Sequence, residues 1–334
     1  MNSYQRLIAR LHGEPVDQVP NLCILMGFAA RHTGIPYREF CLQPERMVQA
    51  NLSCHETFGV DIVTVMSDPY GEAMVYGLAV SFPEDGAPRV ERPFWLEEPS
   101  AASLPLRRTE DTVRMKNRVR TIQLYADQVK GTCPIAGWIE GPVAEYCDLR
   151  GISEAMIDFA DDEPYLDEVL GRLEEQAGLY AKAQIDAGAD IIGIGDAACS
   201  LLGPSIYMRY AFQRQKRLVD AIHAMGGLVK LHICGNIGPL LPDIAKLKAD
   251  IVDIDWMVDF GQAADILTDS SVCGNFDPVI VLLRGTEQEV EHAVEECLRM
   301  GNSRTLISGG CETPPDTPYA NLMAVHRALY AARS

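Results

Sequence analysis

Short runs of apolar and β-branched residues recur along this chain, and between them lie longer stretches whose apolar residues fall at i, i+3 and i+4. The short runs predict strands over 19–26, 61–66, 134–139, 190–194, 227–233, 250–256, 271–276 and 304–308. The longer ones predict helices, most clearly over 163–187, 205–225, 287–300 and 318–332. Pro204, Pro278 and Pro318 stand where helices begin, and Gly188, Gly226 and Gly301 where they end. The strands are near-continuous apolar runs, which implies burial on both faces, and helices follow them. Eight such strand-then-helix units predict an α/β protein of the (β/α)8 TIM-barrel type. That fold needs about 250 residues. The surplus falls in 69–132, a stretch with six prolines that predicts an extended insertion after strand 2, leading into a helix around 110–130. No linker or composition break divides the chain and no Gly-x-Gly-x-x-Gly follows a strand, so 1–334 is expected to form one barrel domain rather than two doubly wound halves.

Composition narrows the function classes. The formal net charge of −18 argues against nucleic acid and anionic membrane surfaces as partners while leaving small metabolites and cations open. No apolar run is long enough to span a bilayer, and 1–14 lacks the apolar core of a secretory leader. The ten cysteines are therefore expected in a reducing cytoplasmic setting, mostly as small buried hydrophobes.

In a barrel of this kind chemistry is done where strands end and the following loops begin. Asp68, Glu140, Asp196, His232, Cys234, Asp255, Asn275, Asp277 and Cys311 all occupy such positions. His232 and Cys234 are two apart on a predicted strand, so imidazole and thiol face the same side. Cys311, at the end of the eighth strand, joins them if the barrel closes. Two thiolates and an imidazole suit Zn2+, and three protein ligands leave a position for a reacting group. The competing reading of His-x-Cys on a strand is ordinary packing. Asp255 is either a fourth ligand or a solvated strand-end carboxylate. Zinc would hold a substrate thiol as thiolate near neutral pH, which points to alkyl transfer onto sulfur. Glu140 and Asp196 either hold substrate or pair with rim arginines. The other histidines have no partner at metal spacing.

These residues sit in longer motifs that resemble a known family. Gly-Glu-Pro-Val-Asp-Gln-Val-Pro over 13–20, Ser67-Asp68 and Gly-Asn-Phe-Asp-Pro over 274–278 are similar to the uroporphyrinogen decarboxylase superfamily along nearly the whole chain. Leu-His-Ile-Cys-Gly-Asn over 231–236 and Cys-Glu-Thr-Pro over 311–314 resemble its cobalamin-dependent zinc methyltransferase branch, such as the methylcobalamin:coenzyme M methyltransferases. The resemblance implies zinc on His232, Cys234 and Cys311. It also implies cobalamin carried by a small separate corrinoid protein, and a thiol such as coenzyme M as methyl acceptor. A demethylating reaction, from a methylated substrate onto the corrinoid, stands as the alternative. Uroporphyrinogen decarboxylation is the weaker one, because 25–32 reads Leu-Met-Gly-Phe-Ala-Ala-Arg-His and lacks the decarboxylases' paired arginines. Asp68 matches those enzymes' essential Asp, and either orients a ligand or caps a loop. Arg31, His32 and backbone donors are the candidates for holding an acceptor's anionic end.

Overall fold

The computed structural model describes residues 1–332; residues 333 and 334, the end of the expected domain, lie outside them. Among the described residues the strands are β1 (Val63–Thr64), β2 (Val80–Ser81), β3 (Arg89–Val90), β4 (Ile135–Glu140), β5 (Ile191–Gly195), β6 (Leu228–Ile233), β7 (Ile251–Ile254), β8 (Ser271–Phe276) and β9 (Leu306–Gly309). Seven of them, β1 and β4 to β9, form one parallel sheet in chain order. The short pair β2 and β3 is an antiparallel hairpin apart from it. β4, β5, β8 and β9 are buried at every position, as a parallel sheet covered on both faces requires. The stretch 69–132 holds this hairpin, several 3-10 turns and the helix Val113–Val129.

The expected first strand, 19–26, is corrected. Only Asn21 makes a parallel bridge, to Ile307, and a helix (Met26–His32) begins where the strand was expected to end. Pro20 has no N–H for a ladder, and the Cys23 N–H is taken by the Asn21 side chain at 3.1 Å. The segment still spans the seam. Leu22 N–H donates to Ile307 O (2.7 Å) and Ile307 N–H to Pro20 O (3.1 Å), while Asp61 N–H donates to Asn21 O (2.7 Å) just before β1. The result is a TIM-barrel-like curl of parallel strands with helices outside.

The strand starts are closed by the helix Ser3–Leu11, which opens with a capping box between Asn2 and Gln5. Its Leu7 and Leu11 pack against Leu22, Ala136, Ile191, Ile251, Cys273 and Leu306, forming an apolar floor. Each fully buried leucine there contributes about 1.5–3 kcal/mol. The same helix is pinned by Asp61, which accepts from Arg6 Nη1 at 2.5 Å and Ser3 Oγ at 2.6 Å. With one end sealed, the open end is where the strands finish.

Candidate metal centre

Along β6, alternation sends Lys230, His232 and then Cys234 toward the barrel interior. His232 Nε2 lies 3.0 Å from Cys234 Sγ, and Cys234 Sγ lies 3.8 Å from Cys311 Sγ. All three ligand atoms fall within 4.8 Å of one another. Two Zn–S bonds of about 2.3 Å at a tetrahedral angle put their sulfurs roughly 3.8 Å apart, so the thiol spacing fits a shared zinc. Soft donors with one imidazole are also the chemistry that zinc selects.

Cys311 follows β9, three strands away from β6 in the sheet, and must fold back over the ends of β8 and β7 to reach Cys234. Gly310 makes this possible. A Cβ there would stand 2.3 Å from Trp256 N and 3.0 Å from Asp255 C, so only glycine allows so close a backbone crossing. Gly310 N–H donates to Phe276 O at 2.9 Å, and further on Thr313 N–H donates to Ile24 O at 2.8 Å, tying the strap down on both sides of the cysteine.

Behind the imidazole stands a buried ionic pair. Asp253 Oδ2 is 3.1 Å from His232 Nδ1, off line for a full hydrogen bond, and the same oxygen takes the Lys230 ammonium. Burial works against ionised Asp253, but Lys230 and His232 hold its carboxyl down to about 2. Burial likewise opposes a charged His232, yet Asp253 and Cys311 lift the ring to about 9. The two thiols share their charge unequally. The hydrogen bond from Cys234 draws Cys311 down to about 4 against burial, and the same contact pushes Cys234 up. A carboxylate on the far nitrogen of a ligating histidine fixes its tautomer and strengthens it as a donor.

On the other side of the centre the Trp138 ring lies across β5. Cβ atoms at Gly193 and Gly195 would meet it at 2.2 and 2.5 Å, so the glycines make its bed. The ring centroid is 6.5 Å from that of His232, and the indole N–H donates to Glu140 Oε1 at 2.7 Å. Glu140 N–H in turn donates to Glu72 Oε2 at 2.7 Å. Burial raises both carboxyls, Glu72 to about 7 with Asp68 adding to it, and Glu140 further through repulsion from Glu72.

The other expected site residues are placed as follows. Asp255 stands outside the three-residue cluster; its Oδ2 accepts from Gly235 N–H at 2.7 Å, while Oδ1 is buried without a hydrogen-bond partner. Asp68 is buried, caps the turn Pro69–Gly71 and pairs with Arg114 and Arg118. Asp196 accepts from Ala144 N–H (2.7 Å) and Gln215 Nε2 (2.8 Å), joining two helices. Asn275 donates to Asp255 O and Val258 O, which braces the loop after β7. Asp277 caps the turn Pro278–Leu283. Arg31 is exposed and pairs with Asp316 at 2.8 Å. Sequence reasoning missed Lys230, Asp253 and Trp138, although the same period of two that singled out His232 and Cys234 marks all three as inward-facing.

The uroporphyrinogen decarboxylase (URO-D) family model matches residues 2–331. The chain belongs to the URO-D family. Within the family it is 27% identical to the methylcobamide:CoM methyltransferase MtbA of Methanosarcina acetivorans, over 95% of this chain and 94% of that protein. It is 25% identical to a uroporphyrinogen decarboxylase of a Geobacter species, over 96% and 98% of the two chains. The solved structure of a methyltransferase from Methanosarcina mazei superposes over the full length of both chains with a TM-score of 0.91 at 24% identity, which shows that this URO-D family member shares its fold. No helix among the described residues is long and apolar enough to cross a membrane.

Proposed function

We propose that this protein is a zinc-dependent methyltransferase that moves a methyl group from a methylcobamide, carried by a separate corrinoid protein, to a thiol such as coenzyme M. The observation that carries the reading is the convergence of His232, Cys234 and Cys311 at the open end of the barrel. Zinc bound there supplies one thing, the stabilisation of a thiol as thiolate at neutral pH. The chain's own residues do the rest. Asp253 orients His232 and Lys230 balances Asp253, so the nitrogen donor faces the mouth with its other side already engaged. Gly310 lets Cys311 cross to Cys234, and Trp138, near the His232 ring, holds Glu140 through its indole N–H. In the transfer a sulfur–carbon bond forms while the cobalt–carbon bond breaks, with the electron pair staying on cobalt.

A rim of exposed apolar side chains supports docking of a corrinoid partner. Leu201 after β5, Trp256 and Met257 after β7, Val279 and Ile280 after β8, and Tyr319 after β9 are each at least 40% exposed. Large apolar side chains gathered on one face are what a transient protein interface uses. Methyl transfer is favoured over decarboxylation of a polyanion because Arg114 and Arg118 are buried and already paired with Asp68 and Glu72. The ten cysteines, all free, support action in a reducing cytoplasm.

The test mixes the protein, purified without chelator, with methylcobalamin and a thiol under anaerobic conditions and follows the corrinoid spectrum. Conversion to cob(I)alamin together with about one zinc per chain is expected. Demethylation that persists fully after chelation has removed the zinc would overturn the metal's role.

A further inference from the structure

A cavity of about 600 Å³, lined by none of the three proposed zinc ligands, includes in its wall Glu312, the residue after Cys311. Its size is in the range of small-molecule sites. Gly27 and Arg31 of the helix Met26–His32 form one wall, Tyr37 another, Asp85 of the turn between β2 and β3 a third, and Glu312 the side next to Cys311. The position of Glu312, the residue after a proposed ligand, makes the cavity continuous in sequence with the centre.

The charges on its wall are of both signs. Arg31 is the one cation lining it among the described residues, and Glu312 and Asp85 are the anions. Glu312 is held in place, since its Oε1 accepts from Gly27 N–H at 2.9 Å, and a Cβ at residue 27 would press on that oxygen at 3.3 Å. Arg31 is exchangeable. Its pair with Asp316 is 66% and 65% exposed, and such pairs are worth about 0–1 kcal/mol, so an incoming anion displaces Asp316 at little cost. A thiol with only an anionic tail would satisfy Arg31 but set its charge against two carboxylates. A thiol with only an ammonium would leave Arg31 with no gain over its present partner.

We infer that the cavity binds the tail of an amino-acid thiol, carrying both an α-ammonium and a carboxylate, as the methyl acceptor. Its carboxylate goes to Arg31, its ammonium to Glu312 and Asp85, and its sulfur reaches toward Cys311. The inference rests on the methyl-transfer reading and narrows its acceptor.

Calorimetry on the zinc-loaded protein should compare homocysteine with cysteamine, 3-mercaptopropionate and 2-mercaptoethanesulfonate, with methylcobalamin demethylation followed in parallel. Homocysteine is expected to bind on the order of tenfold more tightly than each of the others, since it alone makes charge-assisted contacts at both ends. Arg31→Gln should erase its advantage over cysteamine, and Asp85→Asn should reduce its advantage over 3-mercaptopropionate. Equal or tighter binding of either anionic thiol in the unmodified protein, with demethylation intact, overturns the cavity assignment alone. Unchanged discrimination in both variants does the same. If none of the four thiols demethylates methylcobalamin, the transfer reading itself fails.

Discussion

The two ends of the barrel interior are built on the same inward-facing positions and could hardly differ more. At the floor those positions hold Ala136, Ile191, Leu228, Ile251 and Leu306, packed on Leu7 and Leu11. One or two inward steps further on, the same strands carry Trp138 and Glu140, Gly193 and Gly195, Lys230 and His232, and Asp253. The floor needs only volume, because the hydrophobic effect has no direction. The mouth needs partners at set distances, because each buried charge is costly unless its counterpart is in place. The floor therefore stabilises the barrel, and the mouth draws on that stability to hold charged groups out of water.

The largest expected effect comes from the mouth. Cys311→Ser removes one soft donor, so metal analysis should show zinc content falling sharply, and methyl transfer should drop by at least about two orders of magnitude, while the melting temperature moves little. Full zinc occupancy in this variant would separate the mouth from the proposed chemistry altogether.

Asp253→Asn sharpens the contrast, since it leaves Lys230 buried beside a neutral amide. Denaturant unfolding should show a loss of about 3–5 kcal/mol, and competitive chelation a zinc affinity weaker by about 10–100-fold. Leu7→Ala makes the opposite cut. It should cost about 2–5 kcal/mol of stability by the same unfolding measurement and leave zinc affinity unchanged, because the cavity opens at the floor. If Leu7→Ala weakened zinc as much as Asp253→Asn does, the two ends could not be treated as separate.

Gly310→Ala forces a Cβ against the Asp255–Trp256 backbone. Overpacking of this kind costs about 1–3 kcal/mol, and the displaced strap should weaken zinc binding measurably while the floor packing is untouched. The smallest effect is on pH. His232, lifted from 6.5 to about 9, contributes stability that is full below pH 6.5 and fades as pH rises through 9. Asp253, lowered from 3.8 to about 2, contributes stability that is present above 3.8 and fades only as pH falls toward 2. Zinc requires the neutral imidazole and both thiolates, so its affinity should rise with pH by about tenfold per unit for each proton displaced, less steeply once His232 has lost its proton but still rising because Cys234 keeps its own. A slope of one proton rather than two between about pH 6 and 9 would show that Asp253 does not hold the ring charged.

Much of this was legible in the residue order. Seven of the eight predicted strands lie within a few residues of their expected places, because runs such as Ile-Ile-Gly-Ile-Gly in β5 have no arrangement other than burial on both faces. The failure at 19–26 came from reading apolar content without asking whether the backbone could form a ladder there, which Pro20 and the Asn21 side chain prevent. The ligand trio was legible in two parts. His232 and Cys234 are two residues apart at the end of one strand, whereas Cys311 joined them only through an assumed closure. The acidic residues at strand ends were visible as ligands in general, but whether each would face the opening or cap a turn was not, since one carboxylate serves either purpose.

Local order by itself determined the strand and helix periodicity, the inward side of β6 and the soft-ligand pair on it, since these depend on neighbours one to four residues apart. Tertiary structure alone decided that the Gly310 strap lays Cys311 over the ends of β7 and β8, that Asp253 stands behind His232, and that Asp68 and Asp196 are spent on internal partners. Those outcomes depend on which distant backbone segments can approach within a few ångströms, and no pattern along a single strand carries that information.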